Sequence, residues 1–223
     1  MNFNFSEDTS KNDVMILIEG EKINCKDSFR YLGSVIQVNG DIDEDVNNRI
    51  GAGWSKWRLA SGILCDKRIP HKLKGNFYKT TIRPAMLYGT ECWTIKKKHV
   101  QQMNVAEMRM LRWMCNKTRK DRIRNDYFRN HLGIAPIEEK IRENRLRWFG
   151  HIERRPTTTP VRKISFIIEE DFKRKQGRPM RRWMDVVNED LETLTLSKTL
   201  IFDRKEWKDR IHVADPNIVG KRL

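Results

Sequence analysis

The sequence lacks the short motifs that mark nucleotide hydrolysis, serine hydrolysis and zinc-dependent proteolysis. It contains no GxxxxGK[ST] phosphate loop, no GxSxG, no HExxH and no pair of adjacent aspartates. Two-metal nucleotidyl transfer needs carboxylates that converge on the same ions. We therefore expect no metal, no cofactor and no catalytic site in this chain.

Cysteines are few, and long apolar runs are absent. The four cysteines, Cys25, Cys65, Cys92 and Cys115, lie far apart and lack the close pairing of a zinc knuckle. They predict reduced, mostly buried thiols in an intracellular protein, without distinguishing nucleus from cytoplasm. No apolar stretch reaches the length needed to span a bilayer, so we expect no membrane partner.

Positive charge is concentrated in the centre of the chain. The 223 residues include 45 Lys and Arg against 30 Asp and Glu, a formal net charge of +15. Residues 54–182 carry 33 of these cations against 12 acids, whereas the two ends are acidic or nearly neutral. A basic centre is typical of a polyanion-binding surface, although a solvated helical surface would give the same composition. The seven Trp and nine Phe argue against wholesale disorder.

The spacing of apolar residues predicts a mainly α fold with a small β-hairpin segment at the N-terminus. Val14–Ile18 and Phe29–Val38 are apolar, β-branched runs that predict one hairpin or a pair of hairpins. From Asp41 onward, apolar residues recur at three- and four-residue steps. The predicted helices span 41–64, 72–83, 99–116, 121–132, a segment after Pro136, 182–196 and 204–211. Pro84 is expected to kink or break the second helix.

These elements predict five successive segments. Residues 1–13 form a flexible lead and residues 14–40 a β-hairpin. Residues 41–155 form a helical domain. A basic linker at 156–182 follows, and a short helical segment at 183–223 ends the chain.

The stretch 143–155, ENRLRWFGHIERR, combines an apolar helical stripe with flanking arginines. Ile141, Leu146, Ile152 and either Trp148 or Phe149 form the stripe, which needs a core on one side. The cations expected to contact a polyanion are Arg145, Arg147, Arg154 and Arg155. His151 in the same run fits a phosphate donor, a helix-end residue or a metal ligand.

A second basic run lies between two predicted helices at residues 116–124. Its cations are Lys117, Arg119, Lys120, Arg122 and Arg124, with Asp121 as the single acid. Such a cluster neutralises phosphates and releases counterions, which gives affinity without sequence preference. A solvated helix junction is the alternative interpretation.

A third basic run, KRKQGRPMRR, occupies residues 173–182 and contains Arg174, Lys175 and Arg178. Its Gly-Arg-Pro core resembles an AT-hook, with Gln176 where arginine is usual. An extended Gly-Arg-Pro places its arginine in a narrow minor groove. A plain basic linker is the alternative.

Several strings resemble, in order, the C-terminal part of a non-LTR (LINE-type) retrotransposon reverse transcriptase. They are FRYLGSVI (29–36), DIDEDVNNRI (41–50), the strings at 53–93 and 106–125, ENRLRWFGHIERR (143–155), GRP (177–179) and RIHVADP (210–216). The resemblance implies a primer-grip hairpin at 14–40, with Tyr31 and Gly33 as nucleic-acid contacts, and a thumb-like domain at 41–155. It also implies a truncated copy without the palm aspartates, hence no enzyme by itself.

The sequence thus predicts a nucleic-acid-binding remnant of a reverse transcriptase, without a polymerase active site. The expected partner is RNA, DNA or a hybrid, bound mainly through phosphates, and the oligomeric state is left open. The alternative is a non-catalytic helical interaction protein or a non-functional retroelement fossil.

Overall fold

The computed structural model describes residues 16–18, 21–23, 26–163 and 181–217. The described chain is mainly helical, and its strands are confined to the N-terminal part, as the sequence predicted. Two compact units divide after Asn48, inside the first helix.

The first unit contains two short antiparallel hairpins. Strand β1 (Ile16–Ile18) pairs with β2 (Glu21–Ile23), and β3 (Ser28–Tyr31) pairs with β4 (Ser34–Gln37). A pair of hairpins was one of the two predicted arrangements and is confirmed. Phe29–Val38, however, is not one continuous strand.

A tight turn at Leu32 and Gly33 divides that apolar run. Both residues have positive φ, 47° and 86°, which is the pattern of the primed turns that suit the twist of a hairpin. The Gly33 carbonyl oxygen accepts a hydrogen bond from the Asn48 side-chain amide at 2.9 Å. Only Gly33 marks this turn in the sequence, because leucine rarely adopts a positive φ.

The second unit is helical. The helices of the described chain are α1 (Asp43–Leu59), α2 (Ser61–Leu64), α3 (His71–Phe77), α4 (Arg83–Leu87), α5 (Lys97–Met114), α6 (Asn125–Leu132), α7 (Ile137–Glu153), α8 (Trp183–Thr193) and α9 (Arg204–Ile211). Short 3-10 turns span Thr90–Cys92, Arg119–Asp121 and Lys198–Phe202. Residues 160–163 are also helical. The periodic segments therefore predicted the helices to within a few residues, and α9 matches its prediction at both ends.

The sequence predicted a kink or a break at Pro84, and the break does not occur. The chain stays helical through this proline, because Tyr78–Ile82 forms a π-helical turn between α3 and α4. In a regular α-helix, a proline ring collides with the carbonyl group four residues earlier. The wider π turn relieves this collision, so the helix widens where a break was expected.

Helix α7 occupies the centre of the second unit. It contacts α4, α5, α8, α9 and the turn Thr90–Cys92. The predicted stripe is buried at Ile141, Leu146 and Ile152, and Phe149 rather than Trp148 is its fourth member. One core cluster consists of Leu146, Phe149, Val187, Leu191, Ile201, Trp207 and Ile211. The C-terminal helices therefore pack directly on α7.

Helices α3 and α6 approach each other closely at Gly75. A Cβ atom at this position would lie 1.9 Å from the carbonyl oxygen of Leu132. Gly133 follows the last residue of the helix predicted at 121–132, and it ends α6 in the left-handed conformation, with φ 63°.

The predicted burial of the thiols is wrong for the described cysteines. Cys92 is exposed, Cys65 and Cys115 are partly buried, and Cys25 lies outside the described residues. The apolar run 85–93 is also only partly core, since Met86, Leu87 and Trp93 are buried but Tyr88 is 56% exposed. Within the described part of the chain, every helix is too short or too polar to cross a bilayer.

Candidate nucleic-acid interface

The segment 117–124, named here the basic turn, connects α5 to α6. The Thr118 Oγ1 atom accepts a hydrogen bond from the Lys120 backbone N–H at 3.2 Å, which caps the turn Arg119–Asp121. The Asp121 carboxylate accepts one from the Thr118 N–H at 2.7 Å, and this bond lowers the pKa of Asp121. Asp121 also lies 3.5 Å from the Lys117 ammonium group. The one acid of the segment is thus engaged by the turn itself and by Lys117.

The other four cations of the basic turn are available to a ligand. Arg119, Lys120, Arg122 and Arg124 are exposed, and no acidic group of the described residues pairs with them. Partial burial and the positive charge of Arg119 lower the pKa of Arg112 at the end of α5. Like charges held close together at a surface attract phosphates strongly.

The arginines of α7 have a different environment. Arg145 is only 4% exposed, and its Nη2 atom lies 2.7 Å from the Asp190 carboxylate on α8. The prediction that Arg145 binds phosphate is wrong, because burial removes it from the surface and Asp190 neutralises it. Arg154 donates a hydrogen bond from Nη1 to the Ile201 carbonyl oxygen at 2.9 Å. Arg154 therefore links α7 to the turn Lys198–Phe202.

Three predicted residues, Arg147, His151 and Arg155, form an exposed row that follows α7 and ends just beyond it. Arg147 is 62% exposed, although it also contacts the Glu143 carboxylate. The His151 ring stacks on Trp148 with centroids 5.3 Å apart and planes inclined by 17°. Its Nε2 atom lies 3.2 Å from Nη2 of Arg155. A ring nitrogen that faces a guanidinium group is a poor metal ligand, so the row suits an anion better than a metal.

A groove, named here the α7 groove, runs along this row between α4, the turn Thr90–Cys92 and α7. One depression is lined by Glu91, Asn144, Arg147, Trp148 and His151. The adjoining depression is lined by Lys79, Arg83, Pro84, Leu87, Tyr88, Lys140 and Glu143, with Asn144 and Arg147 again. The two depressions adjoin, because they share Asn144 and Arg147, and together they are the α7 groove.

An aromatic ring borders each half of the α7 groove. Trp148 borders one half, and the exposed Tyr88 borders the other, with the Arg49 guanidinium 4.6 Å from its ring centroid. Aromatic rings beside cations hold unpaired bases by stacking. Sequence reasoning missed Tyr88, Glu91 and Asn144. The sequence signal for Tyr88 was the glycine that follows it, because Gly89 turns the chain with a positive φ of 77°.

The remaining predicted contacts fall in two places. Tyr31 is 57% exposed at the end of β3, and Gly33 lies in the turn that follows. Arg174, Lys175, Arg178 and the Gly-Arg-Pro core lie outside the described residues.

The three tryptophans beside the basic runs, Trp113, Trp148 and Trp183, differ in burial, and Trp183 packs against the core cluster that contains Phe149. Trp113 is 37% exposed, and Trp148 and Trp183 are partly buried. Trp113 packs with Trp54 and Trp57 at centroid distances of 5.5 and 5.4 Å. Aromatic surface therefore accompanies the cations at the end of α5 as well as on α7.

One curated protein is similar to most of this chain. Over 192 aligned residues, 23% are identical to an uncharacterized transposon-derived protein of Caenorhabditis elegans, and the alignment covers 81% of this chain and 68% of that protein. The chain is similar to a transposon-derived protein. No family model and no solved structure matches the chain.

Proposed function

We propose that this chain is a nucleic-acid-binding remnant of a retroelement reverse transcriptase. The transposon-derived relative supports an origin in a mobile element. The ordered strings from FRYLGSVI to GRP support the reverse transcriptase in particular. The observation that carries the binding function is the basic turn, where four exposed cations lack an acidic partner among the described residues.

Binding follows from the positions of charge and aromatic surface in the second unit. The basic turn contacts backbone phosphates of RNA, DNA or a hybrid and releases their counterions. The α7 groove holds unpaired nucleotides, with Trp148 and Tyr88 as stacking surfaces and Arg147 beside the backbone. Phosphates and base faces are common to every sequence, so most of the affinity is independent of sequence.

We also propose that the chain does not polymerise nucleotides by itself. The proposal rests on the absence of adjacent aspartates from the sequence, because two-metal nucleotidyl transfer needs carboxylates that converge on the same ions. A primer-extension assay with the purified chain, Mg²⁺ and all four nucleotides tests it. Extension above the background of a mock purification would contradict the proposal.

A salt series with fluorescence anisotropy tests the binding function. Wild-type protein is titrated into labelled single-stranded RNA, single-stranded DNA and a hybrid duplex. We expect the logarithm of affinity to fall linearly with the logarithm of salt concentration. The comparison variant has Gln in place of Arg119, Lys120, Arg122 and Arg124. The magnitude of its slope should be smaller by about 3, because each lost phosphate contact contributes about 0.7 to 0.9.

A matched control separates the basic turn from net charge. Four exposed cations elsewhere in the second unit serve for comparison: Lys72, Lys205, Lys208 and Arg210. Replacing these four with Gln removes the same amount of positive charge as the basic-turn variant. The salt dependence of binding should then stay close to that of the wild type. Affinity that does not change with salt, or equal losses in the two variants, would contradict the proposal.

A second candidate function, a helical interaction protein, is favoured by exposed apolar side chains. Leu59, Ile63 and Leu73, on α1 to α3, are 85%, 61% and 55% exposed. Apolar side chains in such positions are found at protein–protein contacts. This candidate predicts that Gln at the four basic-turn positions leaves association with a protein partner intact.

A further inference from the structure

We infer that the half of the α7 groove beside Trp148 is a pocket for an unpaired guanine base. The inference rests on the proposed function and names the base that this site selects. It is carried by one aromatic ring and two uncommitted polar side chains that line the same depression.

The aromatic ring is held in place before any ligand arrives. His151 stacks almost parallel on Trp148, and Arg155 contacts the His151 ring nitrogen. A base that enters the depression meets an indole whose orientation is already fixed. Pre-ordering of this kind lowers the entropy lost on binding, and base stacking on an aromatic ring supplies affinity for any of the four bases.

Glu91 supplies the selectivity. Its backbone is anchored, because the Trp183 Nε1 atom donates a hydrogen bond to the Glu91 carbonyl oxygen at 2.8 Å. The turn Thr90–Cys92 packs on α7, which brings Glu91 to the edge of the depression. Among the residues that the structure describes, no cation or hydrogen-bond donor pairs with the Glu91 carboxylate. An anchored carboxylate with both oxygens available is an acceptor for two parallel donors.

Asn144 supplies the complementary donor. It lies on α7 in the same depression, and its side-chain amide also has no partner in the described part of the chain. A carboxamide offers two N–H donors beside a single acceptor oxygen. The two side chains together present an acceptor pair and a donor to the edge of a base.

Guanine is the base whose Watson–Crick edge matches this arrangement. Its N1–H and N2–H groups donate in parallel to a carboxylate, and its neighbouring O6 accepts from a carboxamide. Adenine and cytosine each place a ring-nitrogen acceptor against the carboxylate. Uracil has one N–H between two carbonyl oxygens, which the carboxylate repels. Recognition on exposed base edges is the usual mode for single strands.

Residues beside the Trp148 pocket extend the site along a bound nucleic-acid strand. Arg147 borders the Trp148 pocket and also the adjoining depression that contains Tyr88. Its exposed guanidinium is placed to contact a phosphate next to the bound guanosine. A strand that leaves the pocket in this direction meets Tyr88 as its next stacking surface.

The test uses 12-nucleotide uridine RNAs that differ at one central position. Guanosine, adenosine, cytidine or inosine occupies this position, and anisotropy at fixed salt gives each Kd for the full chain. We expect guanosine to bind about tenfold more tightly than adenosine, the size of one good bidentate contact. Inosine, which lacks the N2 amino group, should fall between the two. This comparison uses only wild-type protein, so it does not depend on how a variant folds.

Two substitutions assign the preference to the pocket. Glu91→Gln keeps the shape of the side chain but replaces one acceptor with a donor, and should abolish the preference for guanosine while all-uridine RNA binds as before. Glu192→Gln, at an exposed carboxylate on α8, is the control and should retain the preference. Trp148→Ala should weaken binding of all four RNAs.

The outcomes separate the two proposals. Equal Kd values for the four RNAs would overturn the guanine pocket and leave phosphate-driven binding intact. A guanosine preference that persists in Glu91→Gln would overturn the assignment to Glu91. Failure of every RNA and DNA to bind at low salt would overturn the proposed function, and the pocket with it.

Discussion

The basic turn and helix α7 carry similar numbers of cations but offer a ligand different amounts of charge. In the basic turn, the single acid Asp121 is engaged locally, and the four cations other than Lys117 lack acidic partners among the described residues. Along α7, Glu143 pairs with Lys140 and Arg147, and Asp190 pairs with Arg142 and Arg145. A basic run in the sequence therefore gives only the number of cations. The fold determines how many of these cations are paired with acids and how many can bind a ligand.

Helical geometry explains part of this difference. Residues three or four positions apart are neighbours on a helix, which brings Lys140 and Arg147 to Glu143. The basic turn is too short and too irregular for such pairing, and its only acid caps its own backbone. The two regions thus differ although they look alike in composition. The basic turn presents its charge, whereas α7 uses Arg142 and Arg145 to hold α8 and keeps Arg147 exposed beside its partner Glu143.

The largest expected effect is a difference in the free energy of unfolding between replacing a buried, paired arginine of α7 and replacing an exposed arginine of the basic turn. Arg145→Ala leaves the Asp190 carboxylate in a buried site, with only Arg142 at 3.4 Å as compensation, and should lower the free energy of unfolding by about 3 kcal/mol. Arg122→Ala should change it by less than about 0.5 kcal/mol. Urea unfolding followed by circular dichroism measures both. Similar losses in the two variants would show that the comparison is false.

The second prediction concerns Arg147 on α7, which a substitution of Glu143 would release from its ion pair. Glu143→Gln removes the carboxylate that contacts Lys140, Arg147 and the Val213 N–H. It should lower the free energy of unfolding by about 2 kcal/mol, the loss expected for a charged hydrogen bond. The salt slope of nucleic-acid binding should nevertheless steepen by about 1, because Arg147 becomes free for phosphate. A slope that stays the same would place Arg147 outside the binding surface.

The third prediction concerns pH. Burial raises the pKa of Asp215, but hydrogen bonds from Arg83 and from the Ala135 N–H outweigh it, and the net pKa is lowered. The ion pair therefore contributes stability above the unfolded pKa of about 4, and this contribution is lost as pH falls further. In Asp215→Asn, the free energy of unfolding should fall less steeply between pH 5 and pH 3. Equal pH dependence in wild type and variant would contradict this.

The smallest effect concerns the shape of the basic turn. Thr118→Ala removes the side-chain oxygen that accepts from the Lys120 N–H. A cap of this kind contributes about 1 kcal/mol of local order, which limits the expected loss of affinity to about fivefold. Thr118→Ser keeps the hydroxyl group and should bind like wild type. A loss of more than tenfold in Thr118→Ala would mean that Thr118 itself contacts the ligand.

The sequence predicted the features that depend on local pattern. Apolar spacing placed α7 and α9, and Gly133 marked the end of α6 because its left-handed conformation strongly favours glycine. The i, i+4 spacing of Glu143 and Arg147 also makes their pairing readable without coordinates.

Features that depend on distant residues could not be read in this way. Arg145 meets Asp190 from 45 positions away, so its burial was hidden within a basic run. Tyr88 sits in an apolar run, but the turn at Gly89 leaves it exposed. Packing of the turn Thr90–Cys92 on α7 places Glu91 and Asn144 in the lining of the same depression, which no local spacing encodes.

The π-helical turn at Tyr78–Ile82 has a consequence for the evolution of this chain. On one side, Lys74 is buried and donates a hydrogen bond to the Met114 carbonyl oxygen at 2.8 Å; on the other, Arg83 holds Asp215 with two bonds of 2.7 and 2.9 Å. A π turn contains one residue more than an α turn, so loss of one residue here would convert it to a regular α turn and keep both attachments in register. The ring of Pro84 would then collide with the carbonyl group four residues earlier. Descendants of the same ancestor that lose a residue in this turn should therefore lose the proline as well.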